Sequence, residues 1–198
     1  MSVKVVEKVE PEEKVGLVAL QDGRTCCLEY SDLSSSFQNQ RDANGSLTYK
    51  AGNIAVHAFS LDFAQEMAEA RLPLHSARKT VTAMGEDGVL GELEAVKFET
   101  FVFDALPLAE HVVVQMCDRE EEFAPVKNAE GPDSPETCQS ALDARARRWL
   151  AAARPDLALP DGQSMEMDPR VALDAEDLET GASLLTLRED GMVELADS

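Results

Sequence analysis

Apolar positions gather in short runs along the first third of the chain: VKVVEKV at 3–9, VGLVALQ at 15–21 and RTCCLEY at 24–30. Runs of this length, rich in valine and split by turn signals such as QDG, predict strands. Residues 34–46, SSSFQNQRDANGS, are polar and turn-rich and predict a loop. YKAGNIAVHAFSL, at 49–61, returns to a strand pattern, yet Gly52-Asn53 interrupts its start and His57 sits in its middle. Strand interiors disfavour both a glycine and an unpartnered polar side chain. Next, LDFAQEMAEARL spaces Phe63, Met67 and Ala70 on one helix face, with Asp62 as the expected N-cap.

Further along, VKFETFVFDALPLA at 96–109 places Phe98, Phe101 and Val102 at helical spacing, with Pro107 ending any helix there. HVVVQMC at 111–117 is a continuous apolar run and predicts a buried strand. NAEGPDSP at 128–135 is the clearest linker, and Ser134-Pro135 has the pattern of an N-cap and first helical residue for a helix over 136–153. The chain closes on SLLTLREDGMVEL, a hairpin around Asp190-Gly191. Strands alternating with helices, followed by a smaller appendage, predict an α/β architecture.

Composition narrows the partners. Apolar residues make up 44% of the 198 residues, enough for a packed core. The net charge is −20, from 38 acidic and 18 basic side chains, so the surface repels a phosphate backbone and argues against nucleic acid or an anionic membrane. No apolar run has the length of a membrane span and MSVKVVEKVEPEEK lacks a signal-peptide core, which together predict a cytoplasmic location. The four cysteines, Cys26, Cys27, Cys117 and Cys138, form no CxxC pair; free thiols are expected, with no metal site. His57 and His75 are read as structural core histidines. Among so few basic residues, lysines lodged between apolar runs stand out, Lys97 in AVKFETFVF and Lys127 in FAPVKNAE.

Six motifs carry a resemblance: KVVEKVEPEEKVG, LEYSDL, AGNIAVHAFS, LPLHSARKTV, VKFETFVFD and REEEFAPVKNAEG. In order and spacing they resemble the eukaryotic-type UDP-N-acetylglucosamine pyrophosphorylases, UTP:sugar-1-phosphate uridylyltransferases. The resemblance runs from about Val3 to Asn128 and continues more weakly through MEMDPRVALDAEDLE. It implies the distal half of a Rossmann-like nucleotidyltransferase domain with a mixed sheet, over 1–128, and a helix plus small β-containing domain over 129–198. It also implies uridylyl transfer from UTP to N-acetylglucosamine 1-phosphate, giving UDP-N-acetylglucosamine and pyrophosphate with Mg²⁺.

By that resemblance Lys97 contacts the UTP phosphates and Lys127 the sugar-bound phosphate. Glu29, followed by Tyr30 in LEYSDL, accepts hydrogen bonds from sugar hydroxyls, and Asn53 beside Gly52 bonds the sugar. Gly16 allows close backbone approach. Departures accompany the matches. The family's glycine-rich nucleotide loop has no counterpart, so it is expected upstream together with the uracil-contacting strands and the metal-binding carboxylate, in a missing N-terminal half. The Asn-Gly usual before the first lysine is absent, Thr100 stands where a second lysine is common, and RVALDAEDLE replaces a Tyr/Gly-rich segment. The chain alone is therefore expected to be inactive. Two other functions stay open: a non-catalytic sugar-phosphate-binding module, and an acidic interaction protein.

Overall fold

A computed structural model describes residues 1–157, 164–180, 185–187 and 192–195. The chain divides into two compact units, Met1–Asp118 and Arg119–Ser198, so the division falls before the NAEGPDSP linker rather than within it.

The first unit is built on a five-stranded mixed sheet. Its strands are β1 (Ser2–Glu7), β2 (Leu17–Gln21), β3 (Arg24–Leu28), β4 (Ala51–Ala58) and β7 (Val113–Cys117), in the order β3-β2-β4-β1-β7. β1 runs parallel to β7 and antiparallel to β4. The β2–β3 hairpin turns at Asp22-Gly23, both with positive φ (51° and 77°), which suits the right-handed twist of the strands. Val3, Val5 and Val18 face Phe103 and Leu106 to form the core. Those last two come from a 3-10 helix over Val102–Leu108, and Arg24 Nη1 donates to its Pro107 carbonyl at 2.7 Å.

The helix expected from the spacing of Phe98, Phe101 and Val102 does not form. Residues 96–99 belong to β6 (Leu90–Glu99), which pairs along its full length with β5 (His75–Met84) in a separate two-stranded hairpin. Val96 and Phe98 alternate with Lys97 and Glu99, and that period of two outweighs the helical spacing when a partner strand is present. The expected buried strand does form, as β7, but Val113 (63%), Val114 (42%) and Met116 (51%) are exposed. β7 lies at the sheet edge, with β1 its one partner among the described residues.

The loop at 34–46 holds one helical turn, α1 (Ser35–Gln38), capped by Ser34. α2 (Leu61–Glu69) is capped by Ser60, whose hydroxyl accepts from Phe63 N at 3.3 Å, and not by Asp62. Asp62 sits in the first turn, where a carboxylate meets the positive end of the helix dipole.

In the second unit α3 (Arg119–Glu122) is followed by α4 (Pro135–Ala153). Ser134 and Thr137 form a capping box, and Pro135 occupies the first helical position as expected. Ala146, Trp149 and Leu150 of α4 pack against Met165, Ala172 and Leu178. Leu178 comes from α5 (Ala175–Thr180). β8 (Glu166–Met167), β9 (Leu185–Leu187) and β10 (Met192–Leu195) complete a small sheet, with β9 and β10 antiparallel. The expected turn at Asp190-Gly191 lies outside the described residues.

Candidate functional site

The glycine and amide that interrupt the fourth strand are explained by its path. β4 takes five residues, Asn53 to His57, to cover what β1 covers in three, Val3 to Val5. Ala55 adopts a left-handed φ of 62° within this bulge. Asn53 holds the bulge: its Oδ1 accepts from Ala55 N at 2.9 Å, and its own backbone N–H donates to Gly16 O at 2.7 Å. Gly52, just before, leaves no room for a side chain. A Cβ there would lie 3.0 Å from Val15 Cγ2 and 3.3 Å from both Lys8 Cγ and the Val6 carbonyl. Lys8 is itself buried and donates to the Pro11 carbonyl at 2.8 Å, and burial holds its pKa below the usual lysine range.

Gly16 lies beside Glu29. A Cβ on Gly16 would sit 2.8 Å from Cys27 Sγ and 3.6 Å from Glu29 Oε1. The space a side chain would need is thus taken by the Cys27 thiol. Asn53 Nδ2 donates to the same sulfur at 3.4 Å. Gly16, Cys27, Glu29 and Asn53 therefore converge within one patch of the first unit. Tyr30 opens a single 3-10 turn, Tyr30–Asp32, and its carbonyl accepts from Gln38 Nε2 at 3.4 Å.

The patch is electrostatically loaded. Burial pushes the Glu29 carboxyl above the ordinary range, and the carboxylates of Asp32, Glu99 and Asp104 push it further, while His75 opposes them. Burial also pushes the Cys27 thiol up to about 12, against the hydrogen bond from Asn53, with Glu29, Cys26 and Asp104 adding to the rise. His75 Nε2 and Asp104 Oδ2 are 2.8 Å apart, and the His75 ring packs on Phe101 at 4.8 Å. His75 is thus a partnered residue at the base of the hairpin. His57 is different: its Nε2 is buried without a partner, and burial lowers its pKa.

Lys97 lies on the hairpin opposite Ala77, half exposed, with Nζ 2.5 Å from Glu99 Oε2. Through Glu99 it adjoins the carboxylate group around Glu29. Lys127 belongs to the second unit. Its backbone N–H donates to the Asp133 carbonyl at 2.6 Å, in a tight loop where Asp133 and Gly131 have positive φ (53° and 76°). Asn128 Nδ2 ties the same loop to Pro132 O at 2.6 Å, directly before the buried N-cap Ser134.

Reasoning on sequence missed Cys27, His75 and Asp104 as parts of this patch. Cys27, near the end of β3, lies two residues before Glu29, which follows the strand directly; alternation along the extended chain puts both on one side and was the available signal. The His75–Asp104 pair spans 29 positions and leaves no local signal. Among the described residues no three His, Cys, Asp or Glu side chains are placed to hold a metal ion. A cavity of about 230 Å³ in the second unit, lined by Arg145, Trp149 and Met165 among others, contains none of the expected site residues.

A carboxylate, an amide and a glycine thus meet near the ends of strands in a mixed sheet of an α/β unit. The model of the UTP–glucose-1-phosphate uridylyltransferase family matches residues 1–180, and the chain belongs to that family. The Mus musculus UDP-N-acetylhexosamine pyrophosphorylase-like protein 1 is 42% identical over 158 residues, 76% of this chain and 31% of the relative. The Saccharomyces cerevisiae UDP-N-acetylglucosamine pyrophosphorylase is 31% identical over 192 residues, 90% of this chain and 39% of the relative. A solved Entamoeba histolytica structure superposes with a TM-score of 0.75 at 29% identity, covering 90% of this chain and 46% of that one. The Trypanosoma brucei UDP-N-acetylglucosamine pyrophosphorylase shares the fold, with a TM-score of 0.72, 24% identity, and coverage of 90% and 39%. The chain spans between 31% and 39% of the length of these two curated relatives.

Proposed function

We propose that this chain carries the sugar 1-phosphate side of a UDP-sugar pyrophosphorylase acting in the cytoplasm. The reaction is attack by a phosphate oxygen of N-acetylglucosamine 1-phosphate on the α-phosphorus of UTP, with pyrophosphate leaving. The observation that carries this reading is the convergence of Gly16, Glu29 and Asn53 on one patch. An ionised carboxylate accepts two hydroxyl donors and an amide donates to a third oxygen, which together orient a hydroxyl-rich ring. Gly52 and Tyr30 shape the two strand ends that present these groups.

In the same reading Lys97 meets the UTP phosphates and Lys127 the sugar-bound phosphate. Both lower the cost of bringing two anions together in line. The family resemblance implies Mg²⁺, which would supply further charge neutralisation; no acidic cluster among the described residues is placed to hold it. Turnover needs the glycine-rich nucleotide loop, which none of the 198 residues matches. The same observation supports a second reading, a binding module that holds the sugar nucleotide without turnover.

Two assays separate these readings. Thermal unfolding with millimolar UDP-N-acetylglucosamine is expected to show stabilisation under both. Absence of stabilisation would contradict both and leave an acidic interaction protein. Pyrophosphate release from UTP and N-acetylglucosamine 1-phosphate is expected to be at background for the chain alone and restored by an added N-terminal half from a related enzyme. Robust release by the chain alone would overturn the division of labour, and no release in the mixture favours the binding module.

A further inference from the structure

The three residues proposed to hold the sugar meet at one side chain that has no assigned part, Cys27. Asn53 Nδ2 donates to its sulfur at 3.4 Å, and that sulfur fills the space over Gly16, with Glu29 Oε1 on the far side of the same gap. The Asn53 side chain is a planar amide with one acceptor and two donor hydrogens. Its acceptor is already committed to Ala55 N at 2.9 Å, where it holds the left-handed residue of the bulge. With the oxygen fixed on the bulge and one N–H on Cys27, the amide plane has a single orientation, and its second N–H is the donor available to a ligand.

We infer that Cys27 is a positioning residue of the sugar site: its sulfur fixes the amide of Asn53 so that one N–H is presented to a sugar oxygen. The inference rests on the proposed sugar site. Packing alone does not require sulfur here. A valine would fill the space over Gly16 equally well, but it offers the amide no acceptor, and a buried amide hydrogen without a partner turns away or loses its fixed direction. The raised thiol pKa agrees with this role, since a neutral buried thiol is inert as a nucleophile and remains a weak acceptor.

The test compares Cys27→Val, which keeps shape and removes the acceptor, with Cys27→Ser, which keeps an acceptor. Each 198-residue chain is titrated calorimetrically with N-acetylglucosamine 1-phosphate, and the Asn53 side-chain NH₂ resonances are followed by NMR. Cys27→Val is expected to bind roughly three- to tenfold more weakly, the size of one neutral hydrogen bond, with the Asn53 resonances displaced. Cys27→Ser is expected to stay within about twofold of the parent, because the hydroxyl restores the acceptor. If Cys27→Val does not fold, Cys27→Ala takes its place against the same serine control. Equal affinities and unmoved Asn53 resonances in the apolar variant overturn the inference while leaving the sugar site intact. A parent chain that does not bind the sugar phosphate overturns the proposed site and this inference with it.

Discussion

The patch around Asn53 and the β5–β6 hairpin are both made of apolar-rich β sequence, and they are held in different ways. Gly52 and Asn53 are buried, and the Asn53 amide is held inside the first unit by Ala55 N on its Oδ1 and Cys27 Sγ on its Nδ2. On the hairpin Leu93, Val96 and Phe98 are 41%, 47% and 64% exposed, and among the described residues its strands pair only with each other. A two-stranded ribbon is marginal without a covering layer. Its base is fastened by the His75–Asp104 pair and by the contact of His75 with Phe101. The residues proposed to hold the sugar are therefore set by close packing, while Lys97 is placed by a short anchored ribbon and its pair with Glu99.

The comparison can be broken most forcefully at the lysines proposed to meet phosphate. In a complete enzyme carrying this segment, Lys127→Ala is expected to cost about 2–4 kcal/mol of transition-state stabilisation, and Lys79→Ala far less. The loop closed on the Asp133 carbonyl carries Lys127, whereas Lys79 lies on the exposed hairpin. Equal kcat/KM for the two variants would remove Lys127 from the site.

Glu29→Gln is expected to weaken sugar 1-phosphate use by about 1.5–3 kcal/mol per charged hydrogen bond lost, with UTP affinity nearly unchanged. The same substitution should raise the Tm at neutral pH. The folded-state pKa of Glu29 lies above its ordinary value of about 4.5, so the folded protein binds that proton more tightly than the unfolded chain. Ionised Glu29 thus costs stability once the pH exceeds the raised value, and the cost disappears as pH falls through it to the ordinary one. The advantage of glutamine should follow that window. A Tm gain that persists unchanged below pH 4 would assign it to another cause.

Ser134-Pro135 announced the start of α4 in the sequence, and the motifs singled out Gly16, Glu29 and Asn53, which the fold brings into one patch. What escaped was long-range. Nothing in AGNIAVHAF announces a two-residue bulge, because the register is a property of the partner strand β1. The buried Lys8 and the His75–Asp104 pair likewise depend on neighbours distant in sequence. VKFETFVF carries a helical period because Phe98, Phe101 and Val102 fit one. Ten residues of β5 paired along β6 supplied the competing energy.

Glycine substitutions sharpen the comparison at smaller scale. Gly52→Ala and Gly16→Ala introduce a Cβ 3.0 Å from Val15 Cγ2 and 2.8 Å from Cys27 Sγ, and each is expected to destabilise by about 1–3 kcal/mol. Gly91→Ala on β6 meets nothing within 4 Å and is expected to be neutral or stabilising by up to about 1 kcal/mol. Denaturant midpoints for the three variants would show the difference directly. A Gly91 variant as damaging as the Gly52 variant would mean the hairpin is as tightly covered as the sheet.

The most direct test of the sugar site is a chemical-shift map of the chain titrated with N-acetylglucosamine 1-phosphate. The expected perturbations centre on Gly16, Glu29, Tyr30 and Asn53, with a second group at Lys127 and little change at the hairpin tip around Gly85–Gly88. Perturbations confined to the Trp149 cavity or the hairpin tip, with Glu29 and Asn53 unmoved, would contradict it.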